Sequence, residues 1–196
     1  MECQRESRKW DEIVDLRVEK VVKSKRKQDI KEIYLSSFPK EERMPFTLML
    51  MMSCLWNTDF LAFYEGDTLC GIAYLASIRK LTLIMFFAVA ESLRSLGYGG
   101  RILDEIQARK ANHKIVVSIE PCGGETGSTG QKIRRKRFYQ KNGYEETGYS
   151  MKLAGQEQEI LIKNGVFSKN EFILFFLQYS NLTMIPKIWK ITPEES

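Results

Sequence analysis

Arg94-Ser-Leu-Gly-Tyr-Gly-Gly-Arg-Ile-Leu103 lies where a strand ends and a helix begins, and that succession sets the architecture. Upstream, Leu81-Thr-Leu-Ile-Met-Phe-Phe-Ala-Val89 is a nearly unbroken apolar run, the pattern of a strand covered on both faces. Downstream, Ile102, Leu103 and Ile106 recur at helical spacing while Arg101, Asp104, Gln107 and Arg109 stay polar, which predicts one amphipathic helix. Gly97, Gly99 and Gly100 can take φ > 0 and let another molecule come close to the backbone. Their N–H groups, at the positive end of the helix, form a cradle for an anion such as phosphate. The alternative is a tight strand-to-helix turn and nothing more. Two nucleotide-binding patterns fail on spacing. The dinucleotide fingerprint needs a small residue where Ile102 stands, and the Walker pattern needs Gly-Lys-Ser/Thr where Gly100-Arg101-Ile102 stands.

What remains, Arg94-x-x-Gly97-x-Gly99 after a strand and before a helix, resembles the R/Q-x-x-G-x-G/A signature of the GNAT superfamily of acetyl-CoA-dependent N-acyltransferases. Val89-Ala90-Glu91 keeps the family's apolar strand end but has Glu where Pro is usual. A second strand, Lys114-Ile-Val-Val-Ser-Ile-Glu120, follows the helix, and Phe138-Tyr139-x-x-Asn142-Gly143-Tyr144 is similar to the family's Tyr-x-x-x-Gly-Phe/Tyr region. The resemblance runs from about Leu16 to Asn164.

Outward from this centre, Leu16–Val22 alternates as a first strand, and Gln28–Ser37 carries apolar residues at helical spacing up to Phe38-Pro39. Phe46–Trp56, rich in Met and Leu, predicts a second helix, either a core helix or a wall of a substrate groove. Thr58–Tyr64 and Leu69–Ala76 flank Glu65-Gly66-Asp67 as a hairpin. After a glycine-rich loop over 121–130, Gln131–Lys141 reads as a helix, and Tyr144–Leu153 with Glu157–Lys163 as a second hairpin. Ser168–Tyr179 is an apolar helix that needs cover on most sides, from the domain itself or from a second copy in a homodimer, and Thr183–Ile191 a final edge strand. The expected fold is α/β (α+β): a mixed, mostly antiparallel central sheet flanked by helices, GNAT-like, in one domain. Within it, 1–16 is an N-terminal extension, 17–164 the core and 165–196 a C-terminal helix and tail.

With 196 residues, 43% hydrophobic and 28% charged, the chain has the composition of an ordinary globular domain. Its net charge of +5 suits anionic ligands without marking a nucleic-acid binder. Lys132-Ile-Arg-Arg-Lys-Arg137 is the densest basic run, and is a solvated helix face, a set of cofactor phosphate contacts or a nucleic-acid surface. No aromatic interleaving accompanies it, so no nucleic-acid partner is expected. The four cysteines lack CxxC spacing and the single histidine is His113, so no metal is expected. Cys54 and Cys70 sit in apolar stretches and read as core residues. No segment predicts a membrane span, and without a signal peptide the expected location is cytoplasmic.

The resemblance implies an N-acetyltransferase that uses acetyl-CoA as co-substrate and a small-molecule or peptide amine as acceptor. The backbone of Leu96, Gly97, Tyr98, Gly99 and Gly100 with the Arg94 side chain would hold the cofactor, and the backbone of Phe87 and Val89 its pantetheine arm. Tyr139 would protonate the leaving thiolate, or else be a core aromatic. Glu120, closing the strand after the signature helix, is the candidate base; Glu41, Glu42 or water are its rivals. Glu41, Glu42 and Phe46 would border the acceptor. A non-catalytic acyl-CoA-binding or sensing module is the alternative.

Overall fold

The computed structural model describes residues 15–54, 57–122, 129–153, 155–180 and 185–191. The extension up to residue 14 with Cys3, Leu55 and Trp56 of the expected second helix, residues 123–128 and residues 181–184 lie outside the described residues.

The elements follow as β1 (Arg17–Lys20), a 3-10 turn Val21–Lys23, α1 (Lys27–Ser37), a 3-10 turn Lys40–Glu42, α2 (Phe46–Met52), β2 (Thr58–Glu65), β3 (Thr68–Ile78) and β4 (Leu81–Val89). After a 3-10 turn Glu91–Leu93 come α3 (Tyr98–Arg109), β5 (Lys114–Ile119), α4 (Thr129–Lys141), β6 (Glu145–Leu153), β7 (Gln156–Lys163), α5 (Lys169–Tyr179) and β8 (Lys187–Lys190). The eight strands form one sheet in the order β1-β2-β3-β4-β5-β7-β6-β8. Only β4 and β5 run parallel; α3 makes the crossover between them.

One face of the sheet carries α3 and α4 on Leu75, Ile84, Val117 and Leu161. On the other face α1 and α2 cover Phe60, Ile72, Tyr74 and Phe86, and α5 covers Leu83, Val116, Ile160 and Ile162. Gly71 decides how closely α3 lies on β3. A Cβ there would stand 2.5 Å from the Ala88 carbonyl oxygen and 2.8 Å from Ile102 Cδ1, so any side chain would push the helix away.

The strand that matters most is irregular. Tyr74 pairs with Phe86 and Leu75 with Ile84, so Met85 is an extra residue in β4, a bulge. Met85 and Phe86 consequently face the same side, with α1 and α2, while Ile84, Phe87 and Val89 face α3 and α4. Parallel pairing with β5 runs from Leu81 with Lys114 to Ile84 with Val117 and stops there.

Several expectations need correction. The first strand ends at Lys20, where the backbone turns into the 3-10 segment and buries Val21. The second helix ends at Met52, so Cys54 lies beyond it and is exposed instead of in the core. The C-terminal helix needs cover on one side only: Phe172, Phe175 and Phe176 are buried on the sheet while Leu174 is 50% exposed. Ser168 caps that helix, accepting from the Glu171 amide at 3.4 Å.

Candidate active site

Past Ile84 the β4 backbone has no partner on its β5 side among the described residues. Bulges increase twist and end pairing, and here the two parallel strands separate at their carboxyl ends. Open α/β sheets take ligands outside the carboxyl ends of such strands. The opening is floored on the α3/α4 side by aromatic rings: Phe87 stacks on Phe138 with centroids 6.0 Å apart, and Phe138 meets Tyr139 edge-on at 5.2 Å.

At one end stands the start of α3. Gly97 caps it with φ +88°, a conformation that favours glycine, and accepts from the amides of Gly100 at 3.1 Å and Arg101 at 3.3 Å. The amides before them have no partner inside the helix, because an N-terminal turn leaves its first donors unused. Tyr98 is tied back to the β2–β3 hairpin, its hydroxyl donating to Glu65 Oε2, while Arg101 Nη1 binds Glu65 Oε1 at 2.7 Å. Those two bonds hold the Glu65 carboxyl below the usual carboxylate range. Arg94 reaches over the end of β4, with Nε 3.4 Å from the Val89 carbonyl and Nη2 3.5 Å from Ser37 Oγ at the end of α1.

At the other end, charged groups from three elements meet. Glu120, just past β5, has Oε2 4.0 Å from Arg135 Nη1 on α4. Glu42, from the 3-10 turn between α1 and α2, is half-buried, and its carboxyl is pushed up by burial and by the charges of Glu120 and Glu41, with Arg135 opposing. Tyr139 is 5% exposed, and burial pushes its hydroxyl up to about 12, with Arg135 pulling the other way. That hydroxyl makes no hydrogen bond among the described residues. Arg43, next to Glu42 in sequence, is turned away, donating to the Phe38 carbonyl at 2.6 Å and the Leu35 carbonyl at 2.7 Å.

Residues 56–146 match the family model described as "Acetyltransferase (GNAT) domain". Over that stretch the chain is similar to a GNAT acetyltransferase domain. Solved structures agree on the fold. A GNAT-family protein from Bacteroides thetaiotaomicron is 17% identical with a TM-score of 0.64, over 80% of this chain and 90% of that one. A Bacillus subtilis acetyltransferase in complex with CoA is 20% identical with a TM-score of 0.53, over 77% and 99%. The PaiA N-acetyltransferase of Thermoplasma acidophilum, in complex with coenzyme A, is 15% identical with a TM-score of 0.52, over 78% and 100%. No curated protein matches the chain in sequence.

The residues expected at the site fall into groups. Arg94, Leu96, Gly97, Tyr98, Gly99 and Gly100 gather at the start of α3, with the Leu96 side chain 64% exposed. Phe87 and Val89 lie on the unpaired length of β4. Glu42 comes within reach of the charges of Glu41 and Glu120. Phe46, half-buried, packs against the core edge-on to Phe60 at 5.7 Å and beside Tyr34 at 6.3 Å. Several participants escaped sequence reasoning. Arg135 was hidden inside a basic run, Glu65 in a turn, and Phe138 beside the more conspicuous Tyr139. In that run Lys136 is already neutralised, with Nζ 2.7 Å from buried Glu159 and 2.8 Å from Glu146. Among the described residues no group of His, Cys, Asp and Glu is placed to hold a metal, and no helix is long and apolar enough to cross a membrane.

Proposed function

We propose that this domain transfers an acetyl group from acetyl-CoA to a primary amine of a small molecule or peptide, by direct attack. One observation supports the reading: past Ile84 the β4 edge toward β5 is unpaired, and β4 leads on to the glycine-capped start of α3.

The residues present fit the co-substrate. A Cβ at Gly99 would stand 3.0 Å from the Phe138 ring and one at Gly100 3.0 Å from Asn142 Oδ1, so the backbone here is bare on purpose-sized ground. The unused amides and the helix dipole suit pyrophosphate, and Arg94 adds a charge. The unpaired β4 edge suits an amide-bearing arm laid along it as an extra strand. Bound acetyl-CoA supplies an activated acetyl thioester.

The protein's own groups then handle protons. An ammonium must lose one before its nitrogen can attack, and Glu42 or Glu120 receives it. Glu42 has the better match: a raised carboxyl is a stronger base than an ordinary one. As the N–C bond forms and the C–S bond breaks, Tyr139 donates its proton to sulfur. The proton that the new amide nitrogen sheds restores the balance. A phenol held near 12 stays protonated, ready to donate, across the physiological range.

The test is thermal denaturation with and without acetyl-CoA, followed by thiol release with an amine panel. At 100 times Kd the ligand adds about 2.7 kcal/mol. We expect a clear rise in Tm that Gly99→Glu abolishes, and CoA release only when amine is present. A well-folded protein whose Tm ignores acetyl-CoA would end this reading.

A further inference from the structure

The first turn of α3, Tyr98-Gly99-Gly100-Arg101, carries two side chains and two glycines. The glycines leave the backbone bare for a phosphate, and they also weaken the turn, because glycine loses more backbone freedom on ordering than any other residue. The approach to the turn is no firmer: Gly97 stands at φ +88°, and Ser95, which is not a glycine, at φ +64°. A helix end built this way frays unless something outside the helix holds it. Left unheld, its amides would have to be ordered by the ligand itself, which lowers affinity.

Both side chains of the turn go to one carboxylate. The Tyr98 hydroxyl donates to Glu65 Oε2, Arg101 Nη1 donates to Glu65 Oε1 at 2.7 Å, and the Arg101 guanidinium lies over the Tyr98 ring at 5.1 Å. Glu65 stands on a fixed support. The hairpin tip that follows it is held from two sides, with Arg17 Nη2 3.4 Å from the Gly66 carbonyl and Arg26 Nη1 2.5 Å from the Asp67 carbonyl. The same hairpin also grips the start of the loop, since the Ala90 amide, just past β4, donates to the Cys70 carbonyl at 2.9 Å. Cys70 is the extra residue of a bulge in β3, where Phe63 pairs with Gly71 and Tyr64 with Leu69. The β2–β3 hairpin thus holds the glycine-rich loop at both of its ends.

Resting on the transferase reading, we infer that Glu65 is a positioning residue for the co-substrate: without touching acetyl-CoA, it holds the glycine-rich turn in the shape that offers the Tyr98 and Gly99 amides to the pyrophosphate. Coulomb's law alone argues for the opposite effect, because a carboxylate beside a phosphate site repels the ligand. The two bonds from Glu65 reverse that sign. Neutralising a negative charge here weakens the binding of an anion.

The experiment measures CoA affinity by calorimetry on the full chain for the wild type, Glu65→Gln, Glu65→Asp and Tyr98→Phe, and records the ligand-free Tm of each. Glu65→Gln keeps the size of the side chain but loses its charge and one acceptor. Glu65→Asp keeps the charge and both oxygens one methylene further back, within reach of the long Arg101 side chain. We expect Glu65→Gln to raise the Kd of CoA about fivefold or more, Glu65→Asp to recover part of that loss, and Tyr98→Phe, which leaves the Arg101 pair in place, to raise it about two- to threefold. A CoA affinity in Glu65→Gln equal to or tighter than wild type overturns the inference, since that is the behaviour of a bystander carboxylate. So does Glu65→Asp binding CoA more weakly than Glu65→Gln, the mark of a packing role. Should Glu65→Gln fail to fold, Tyr98→Phe decides, and wild-type affinity in that variant overturns the inference. The wild-type titration separates the two claims: if the wild type binds CoA and the variants match it, the positioning role falls alone, and if the wild type does not bind CoA the transferase reading falls with it.

Discussion

Gly99 and Phe138 fit together only because residue 99 has no side chain: a Cβ there would stand 3.0 Å from two atoms of the Phe138 ring. The ring cannot yield freely, since it is stacked on Phe87 at 6.0 Å with 15° between planes. Gly99→Ala should therefore displace the start of α3 or the ring, at the roughly 1–3 kcal/mol typical of overpacking. The CoA-dependent rise in Tm should shrink with it. Phe138→Leu in the same chain should recover part of both losses, and thermal scans with and without CoA measure them.

Glu42 makes a prediction of sign in the pH profile. Its carboxyl is raised by burial and by Glu120 and Glu41, and lowered by Arg135. If Glu42 takes the ammonium's proton, kcat/KM falls as pH drops through its raised value. Glu120→Gln removes a like charge and should move this acid limb to lower pH. Arg135→Met removes the opposing charge and should move it to higher pH. A limb that stays put in both variants excludes Glu42 as the base, and complete loss of turnover in Glu120→Gln would transfer the role to Glu120.

The tyrosines Tyr139 and Tyr144 pack edge-on at 5.4 Å, yet removal of their hydroxyls should have different consequences. Tyr144 has a buried hydroxyl with no partner, so Tyr144→Phe removes an unmet demand and should raise stability by up to about 1 kcal/mol while leaving turnover alone. Tyr139→Phe should leave Tm within about 2 °C and lower kcat on the order of 10²- to 10⁴-fold, the usual contribution of a general acid. Equal kcat in the wild type and Tyr139→Phe would return Tyr139 to a packing role.

Acid stability should depend on Asp59. Burial would raise its carboxyl, but contacts with Lys110 and Lys20, both at 3.1 Å, outweigh burial and hold it below its ordinary value of 3.8. A lowered folded-state value means that the ion pairs contribute fully above 3.8 and are lost as pH falls through the folded value. Asp59→Asn should reduce stability at pH 7 and flatten the acid decline in that window. Urea melts at pH 7, 4 and 2.5 would show it, and parallel declines in both proteins would refute it.

How far the sequence carries can be judged residue by residue. The apolar run Leu81–Val89 marks the central strand to the residue, and Ile102, Leu103 and Ile106 mark the buried side of α3. Both signals are local and periodic. The bulge at Met85 is invisible in the same run, because a stretch without polar alternation carries no mark where the two faces change over. The meeting of Glu42 with Glu120 depends on sheet order and on the path of the α1–α2 connection, and neither carboxylate announces the other. Cys54 misleads for a related reason: apolar neighbours suggest a core position, but helix α2 has ended two residues before it.

The extra residue in β4 has an evolutionary side. Met85 and Phe86 share a face, so removal of residue 85 alone would leave every other side chain of the strand on its present side while making the pairing with β3 regular. The bulge is thus a matter of strand length, not of residue type. Amino-acid replacement at position 85 changes what lines that face, whereas loss of a single codon would remove the bulge itself and make the β3–β4 ladder regular.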